Sequence, residues 1–121
     1  MGQEYTKKKL SGSTDGKRIL VSGTNTGAAN TIHTATAVSG ADTYDEIYIS
    51  AHNNDTADVK LTIEWGDTVA GTDTIEQTIK GEDGLVYVVA GELLQNGAVV
   101  KAFAGTTNKI TIGGFVNRIV E

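Results

Sequence analysis

The residues able to do chemistry in this chain are few. His33 and His52 are the only histidines, and there is no cysteine. A histidine beside a carboxylate can serve as a general base, and "HNND" (52–55) places Asp55 three residues after His52. No third residue orients that pair and no H-E-x-x-H pattern exists, so the stretch reads as a strand end entering a polar turn. Carboxylates are more plentiful: Asp45 with Glu46, Glu64 with Asp67, and Glu82 with Asp83. Two carboxylates about 5–10 Å apart in a sugar-lined cleft would make a glycosidase, with Glu64 as the candidate acid. Calcium would want clustered loop oxygens, but "NND" and "GEDG" lack the D-x-[DN]-x-[DN]-G spacing. "SGSTDG" (11–16) lacks the order of a phosphate loop and precedes a strand, so no helix N-terminus follows to hold a phosphate. The expected inventory is no catalytic residue, no metal site and no cofactor, hence not an enzyme.

The elements that would carry these residues are strands. "ADVKLTIEWGDT" (57–68) alternates without a break: Val59, Leu61, Ile63 and Trp65 share one parity, and Asp58, Lys60, Thr62 and Glu64 the other. The alternation places Trp65 in the core and Glu64 in a solvated row with Lys60 and Thr62. "YDEIYISAH" (44–52) likewise sends Ile47, Ile49 and Ala51 to one face and Glu46, Tyr48 and Ser50 to the other. Further strands are expected at 18–22, 31–38, 73–80, 99–104, 109–112 and 115–120. "LVYVVA" (85–90) is continuously apolar, as in a central strand covered on both faces. "GELLQNGA" (91–98) reads as a helical turn or a hairpin ending in Asn96-Gly97. Gly113-Gly114 reads as a tight turn. With no proline, the 15 glycines, Asn and Asp must make the turns. Eight or nine short strands at such spacing predict an all-β antiparallel sandwich of about eight strands. Jelly-roll order is favoured, with an Ig-like Greek key as the alternative.

The chain is 121 residues long, one domain's worth, and carries a net charge of −5. That charge is unevenly spread. Residues 1–18 hold five cations against two carboxylates, and the remainder holds five against thirteen, a net of −8. Residues 1–17 read as an extended basic arm, polar and without periodicity, separable from a sandwich at 18–121. An acidic body repels nucleic-acid phosphate, so no nucleic-acid partner is expected. No apolar run approaches the roughly 18 residues of a membrane span, so no membrane partner is expected, although "MGQEYT" matches the short myristoylation pattern. The arm's Lys7, Lys8, Lys9, Lys17 and Arg18 suit docking on an acidic protein surface. Tyr44 and Tyr48 share a face and are the best candidates for a glycan platform, should the chain be a carbohydrate-binding or adhesion module.

The ordered pieces "EYTKKKLSGSTDGK", "TIHTA", "DEIYISAHN", "LTIEWG", "GLVYVVAG" and "FVNRIV" resemble small virion proteins of tailed bacteriophages, of the capsid decoration (cement) kind. The resemblance spans nearly the whole chain. It implies a β-sandwich with an N-terminal arm on the capsid surface of the virion. It implies the major capsid protein as partner, and a homotrimer or other homo-oligomer that stabilises the assembled head. It supplies no site residues.

Overall fold

The computed structural model describes residues 4–37 and 42–121, and nine strands hold most of them. In order they are β1 (Glu4–Lys9), β2 (Ile19–Leu20), β3 (Asn30–Thr34), β4 (Thr43–Asn53), β5 (Val59–Trp65), β6 (Thr74–Ile79), β7 (Val86–Leu94), β8 (Val99–Ala104) and β9 (Ile110–Val120). One 3-10 turn, Thr26–Ala28, precedes β3. No α-helix occurs among the described residues.

Two antiparallel sheets pack face to face. The first runs β1-β9-β4-β7, with β2 beside β9, and the second runs β3-β8-β5-β6. The pairings nest: β2 with β9, β3 with β8, β4 with β7 and β5 with β6. A long antiparallel ribbon with the β5–β6 hairpin at its tip, wrapped over itself, gives that order. It is the order of a jelly roll. The alternation read from sequence sets the core. Ile47, Ile49 and Ala51 of β4 meet Leu61 and Ile63 of β5, Val100, Ala102 and Ala104 of β8, and Ile110, Ile112 and Val116 of β9. Trp65 packs half-buried against this cluster.

Four expectations change. The basic segment is not a separable arm. Residues 4–9 pair along their whole length with β9, from Glu4 opposite Val120 to Lys9 opposite Phe115, and Leu10 is buried in the core. The β1 side chains are all exposed, so composition resembled an unstructured tail while backbone pairing held the strand. "LVYVVA" belongs to β7, which is an edge strand, and Leu85 and Tyr87 are exposed. Gly113 and Gly114 form no turn; they lie inside one strand, β9. A Cβ on Gly114 would stand 1.9 Å from the Tyr48 carbonyl oxygen, and one on Gly113 would stand 2.3 Å from the Arg18 guanidinium. These glycines admit close neighbours within a strand. Finally, Glu64 is buried, as described below. Asn96-Gly97 does make a turn, both residues with positive φ, closed by the Ala98 N–H donating to Gln95 O at 3.2 Å.

Candidate functional site

Strand β4 divides the first sheet into a core face and an outer face. Its odd-numbered residues face inward, so Tyr44, Glu46, Tyr48, Ser50 and His52 face out. The register carries that outer face across neighbouring strands. Tyr5 of β1 lies opposite Ile119 of β9, which lies opposite Tyr44. Next come Lys7, Asn117, Glu46 and Leu93 in one row. The following row holds Lys9, Phe115, Tyr48 and Ala90, and the last pairs Gly113 with Ser50 and Ser50 with Tyr87. All four tyrosines of the chain and one of its two phenylalanines thus share one sheet face.

The centre of this face is knitted together. The Tyr48 and Phe115 rings stack with centroids 4.8 Å apart and planes inclined by 16°. The Lys7 ammonium sits 4.7 Å from the Phe115 centroid, a cation–π contact. On its other side Tyr48 lies against Gly91, where an added Cβ would meet the ring at 3.3–3.7 Å. Lysine, phenylalanine, tyrosine and glycine therefore form one stack across β1, β9, β4 and β7. The Glu46 carboxylate accepts from the Tyr48 hydroxyl at 3.1 Å and the Asn117 amide at 3.0 Å. The bond to Glu46, then desolvation, raise the Tyr48 hydroxyl pKa above its ordinary value. Around this knot the face is open and apolar. Tyr5 is 63 % exposed, Tyr87 64 % and Leu93 51 %, and a groove of about 540 Å³ runs beside Tyr44, Leu93, Leu94 and Gln95. A second groove, about 610 Å³, is lined by Lys7, Lys8, Lys9 and Phe115 along the β1 edge.

The sequence-predicted cations divide accordingly. Lys7, Lys8 and Lys9 are exposed on an edge strand, where lysines deter unwanted strand pairing. Lys17 is exposed in the connecting turn. Arg18 is already engaged. Its Nε donates to Thr111 Oγ1 at 3.0 Å, Nη2 to the Thr111 carbonyl at 2.9 Å and Nη1 to Ser50 Oγ at 3.3 Å. It straps β2 onto the sheet over Gly113.

The candidates for catalysis are dispersed. His52 Nδ1 donates to the Gly84 carbonyl at 2.9 Å, while Asp55 Oδ1 accepts from the backbone N–H of Thr56 at 2.8 Å. The histidine–carboxylate pair that does form is one the sequence reading missed. His33 Nε2 lies 2.7 Å from Asp45 Oδ2 inside the sandwich. Arg118 adds two bonds to that carboxylate, at 2.8 and 3.0 Å, and the Thr36 N–H a further one at 3.2 Å. Because the Ser11 backbone N–H donates to His33 Nδ1 at 3.0 Å, the imidazole carries its proton on Nε2 and gives it to Asp45. Burial works against the Asp45 charge. The bonds from Arg118 and His33 outweigh it and hold the carboxyl below the ordinary value of 3.8. Ser11, His33 and Asp45 resemble a triad in composition only. The ring is 1 % exposed, and the serine oxygen accepts from the Thr34 N–H at 2.7 Å. The cluster clamps β3, β4, β9 and the segment after β1 together. Parity held the signal: Asp45 and Arg118 fall on the inward side of β4 and β9, where a charge requires a partner.

Glu64 keeps the outward parity read from sequence, in register with Lys101 and Thr74, but is only 1 % exposed. The loop before β3 folds over it, and the Thr26 hydroxyl donates to Oε2 at 3.0 Å. Thr62 is buried as well, and only Lys60 of the three remains exposed, paired with Glu76. Alternation reports the face, while a covering loop thirty-odd residues away decides burial.

No group of three or more His, Cys, Asp or Glu side chains suited to a metal ion exists among the described residues. No helix among them is long and apolar enough to cross a membrane. Compared with protein-family models, curated proteins and solved structures, the chain shows no significant match to any.

Proposed function

We propose that this chain is a non-enzymatic virion structural protein of the decoration kind, docking on an assembled phage head through the outer face of the β1-β9-β4-β7 sheet. The observation that carries the reading is the gathering on one sheet face of exposed Tyr5, Tyr87 and Leu93 with half-buried Tyr44, bordered by Lys7 and Lys9 of β1. Tyrosine is the side chain that gives protein interfaces much of their binding energy, since it supplies large area at low entropic cost. The lysines add attraction for an acidic partner surface. The resemblance in sequence names that partner as the major capsid protein, and a homotrimer or other homo-oligomer would present several such faces at once. A protein that binds only the assembled lattice stabilises it by mass action, and repeated copies multiply modest contacts.

Co-sedimentation with assembled heads of the phage encoding the chain tests this. Saturable binding in a fixed ratio to the major capsid protein is expected, as is its loss in Lys7→Glu/Lys9→Glu, the two β1 lysines on that face. Failure to sediment with heads, or binding limited to a few copies at a neck, would overturn it.

The glycan-platform alternative loses Tyr48. One face of that ring is covered by Phe115 and the other lies against Gly91, so no sugar can stack on it. Tyr44 alone keeps that reading, and glycan-array binding abolished by Tyr44→Ala would support it.

A further inference from the structure

Beside Glu64, on the face of the sandwich opposite the tyrosines, a pocket of about 220 Å³ is lined by Glu64, Gly66, Asp67, Thr68, Val99 and Lys101. Glu64 Oε2 accepts from Thr26, but Oε1 is buried with no hydrogen-bond partner among the described residues. Buried carboxylate oxygens are almost always satisfied, because leaving one without a donor forfeits its hydration with nothing in return. At Asp67, Oδ1 accepts from the Thr68 N–H at 2.8 Å, and a carboxylate offers further acceptor sites. Lys101, in register with Glu64, contributes donors to the same wall.

We propose that this pocket binds a pair of neighbouring hydroxyls on a sugar. The wall chemistry selects that class. Two carboxylates repel an anion. The Lys101 ammonium repels a bare metal cation, which would also want more oxygen ligands than Glu64 and Asp67 supply. Val99 is the one apolar side chain, so a hydrocarbon ligand would strand the rest. A vicinal diol satisfies each group in turn: one hydroxyl donates to Glu64 Oε1, and its neighbour accepts from Lys101 and donates to Asp67. Entry requires a small shift of the covering loop. That loop is a single exposed 3-10 turn whose hydroxyl on Glu64 a sugar hydroxyl can replace. The site does not rest on the docking role, since the two surfaces lie on opposite sheets.

Amide chemical shifts of the folded chain, titrated separately with methyl α-mannopyranoside, methyl α-glucopyranoside, methyl β-galactopyranoside and N-acetylglucosamine, test the proposal. At least one sugar should produce saturable shifts at Gly66, Asp67, Thr68 and Lys101. Lys101→Met and Glu64→Gln should each weaken that binding about tenfold to a hundredfold, as expected for loss of a charge-assisted hydrogen bond. Lys101 is only half-buried, so its variant reports even if the Glu64 variant fails to fold. No saturable shift with any of the four sugars, unchanged affinity in Lys101→Met, or the same shifts produced by calcium chloride alone would each overturn it. Sedimentation with heads should be the same for Lys101→Met and the unaltered chain, so failure here and failure of the docking reading are distinguishable.

Discussion

The two faces of β4 do different work with the same strand. Inward, Asp45, Ile47, Ile49 and Ala51 are wholly buried, and the only charge among them is matched by His33 and Arg118. Outward, Tyr44, Glu46 and Tyr48 are half-exposed, and Tyr44 opens onto a groove beside Leu93. A period of two lets one strand hold the fold with one set of residues and offer a surface with the other. In an all-β chain with few residues able to do chemistry, the two kinds of face separate stability from recognition. A polar group whose bonds are all made inside belongs to stability. Large side chains left exposed together on one face belong to recognition.

Substitutions on the two faces should differ in what they cost. The largest effect is expected inside. Asp45→Ala leaves Arg118 and His33 without their acceptor, and should cost about 3 kcal/mol in urea denaturation, the low end for a broken buried pair because Arg118 is partly solvated. The pH dependence follows from the same residue. Its folded pKa lies below 3.8, so its contribution is complete above that value and is lost as pH falls through the folded one. The stability gap between the unaltered chain and Asp45→Asn should therefore be full at neutral pH and shrink below about pH 4; a gap that stays constant would break the assignment. Gly114→Ala, which touches neither face's side chains but crowds the Tyr48 carbonyl at φ 153°, should cost about 2 kcal/mol. The smallest change in stability is expected outside. Tyr44→Ser should shift the unfolding free energy by less than about 1 kcal/mol, and a larger loss would make Tyr44 part of the scaffold.

Much of this architecture was legible in the alternation of residues 44–52 and 58–65, because burial on one face imposes a period that composition cannot mask. The site was less legible for identifiable reasons. β1 has no buried side chain, and its pairing partner lies over a hundred residues away, so nothing local marks it as a strand. Glu64 shows its face in the alternation but not its cover, which a loop ending in β3 provides. Gly113-Gly114 carries a turn signature although the glycines answer to Arg18 and Tyr48, distant in sequence. The gathering of the tyrosines could be read only for Tyr44 and Tyr48 on their shared strand. Adding Tyr5 and Tyr87 required the order of strands in the sheet.

The docking surface we propose is the outward face of β4 and its neighbours. It is tested most directly by titrating Tyr44→Ser/Leu93→Ser against assembled heads beside the unaltered chain, with thermal unfolding of both followed in parallel. Binding weaker by about tenfold or more is expected, as for loss of interface anchors, with the unfolding midpoint nearly unchanged. Equal binding by the doubly substituted chain would contradict it.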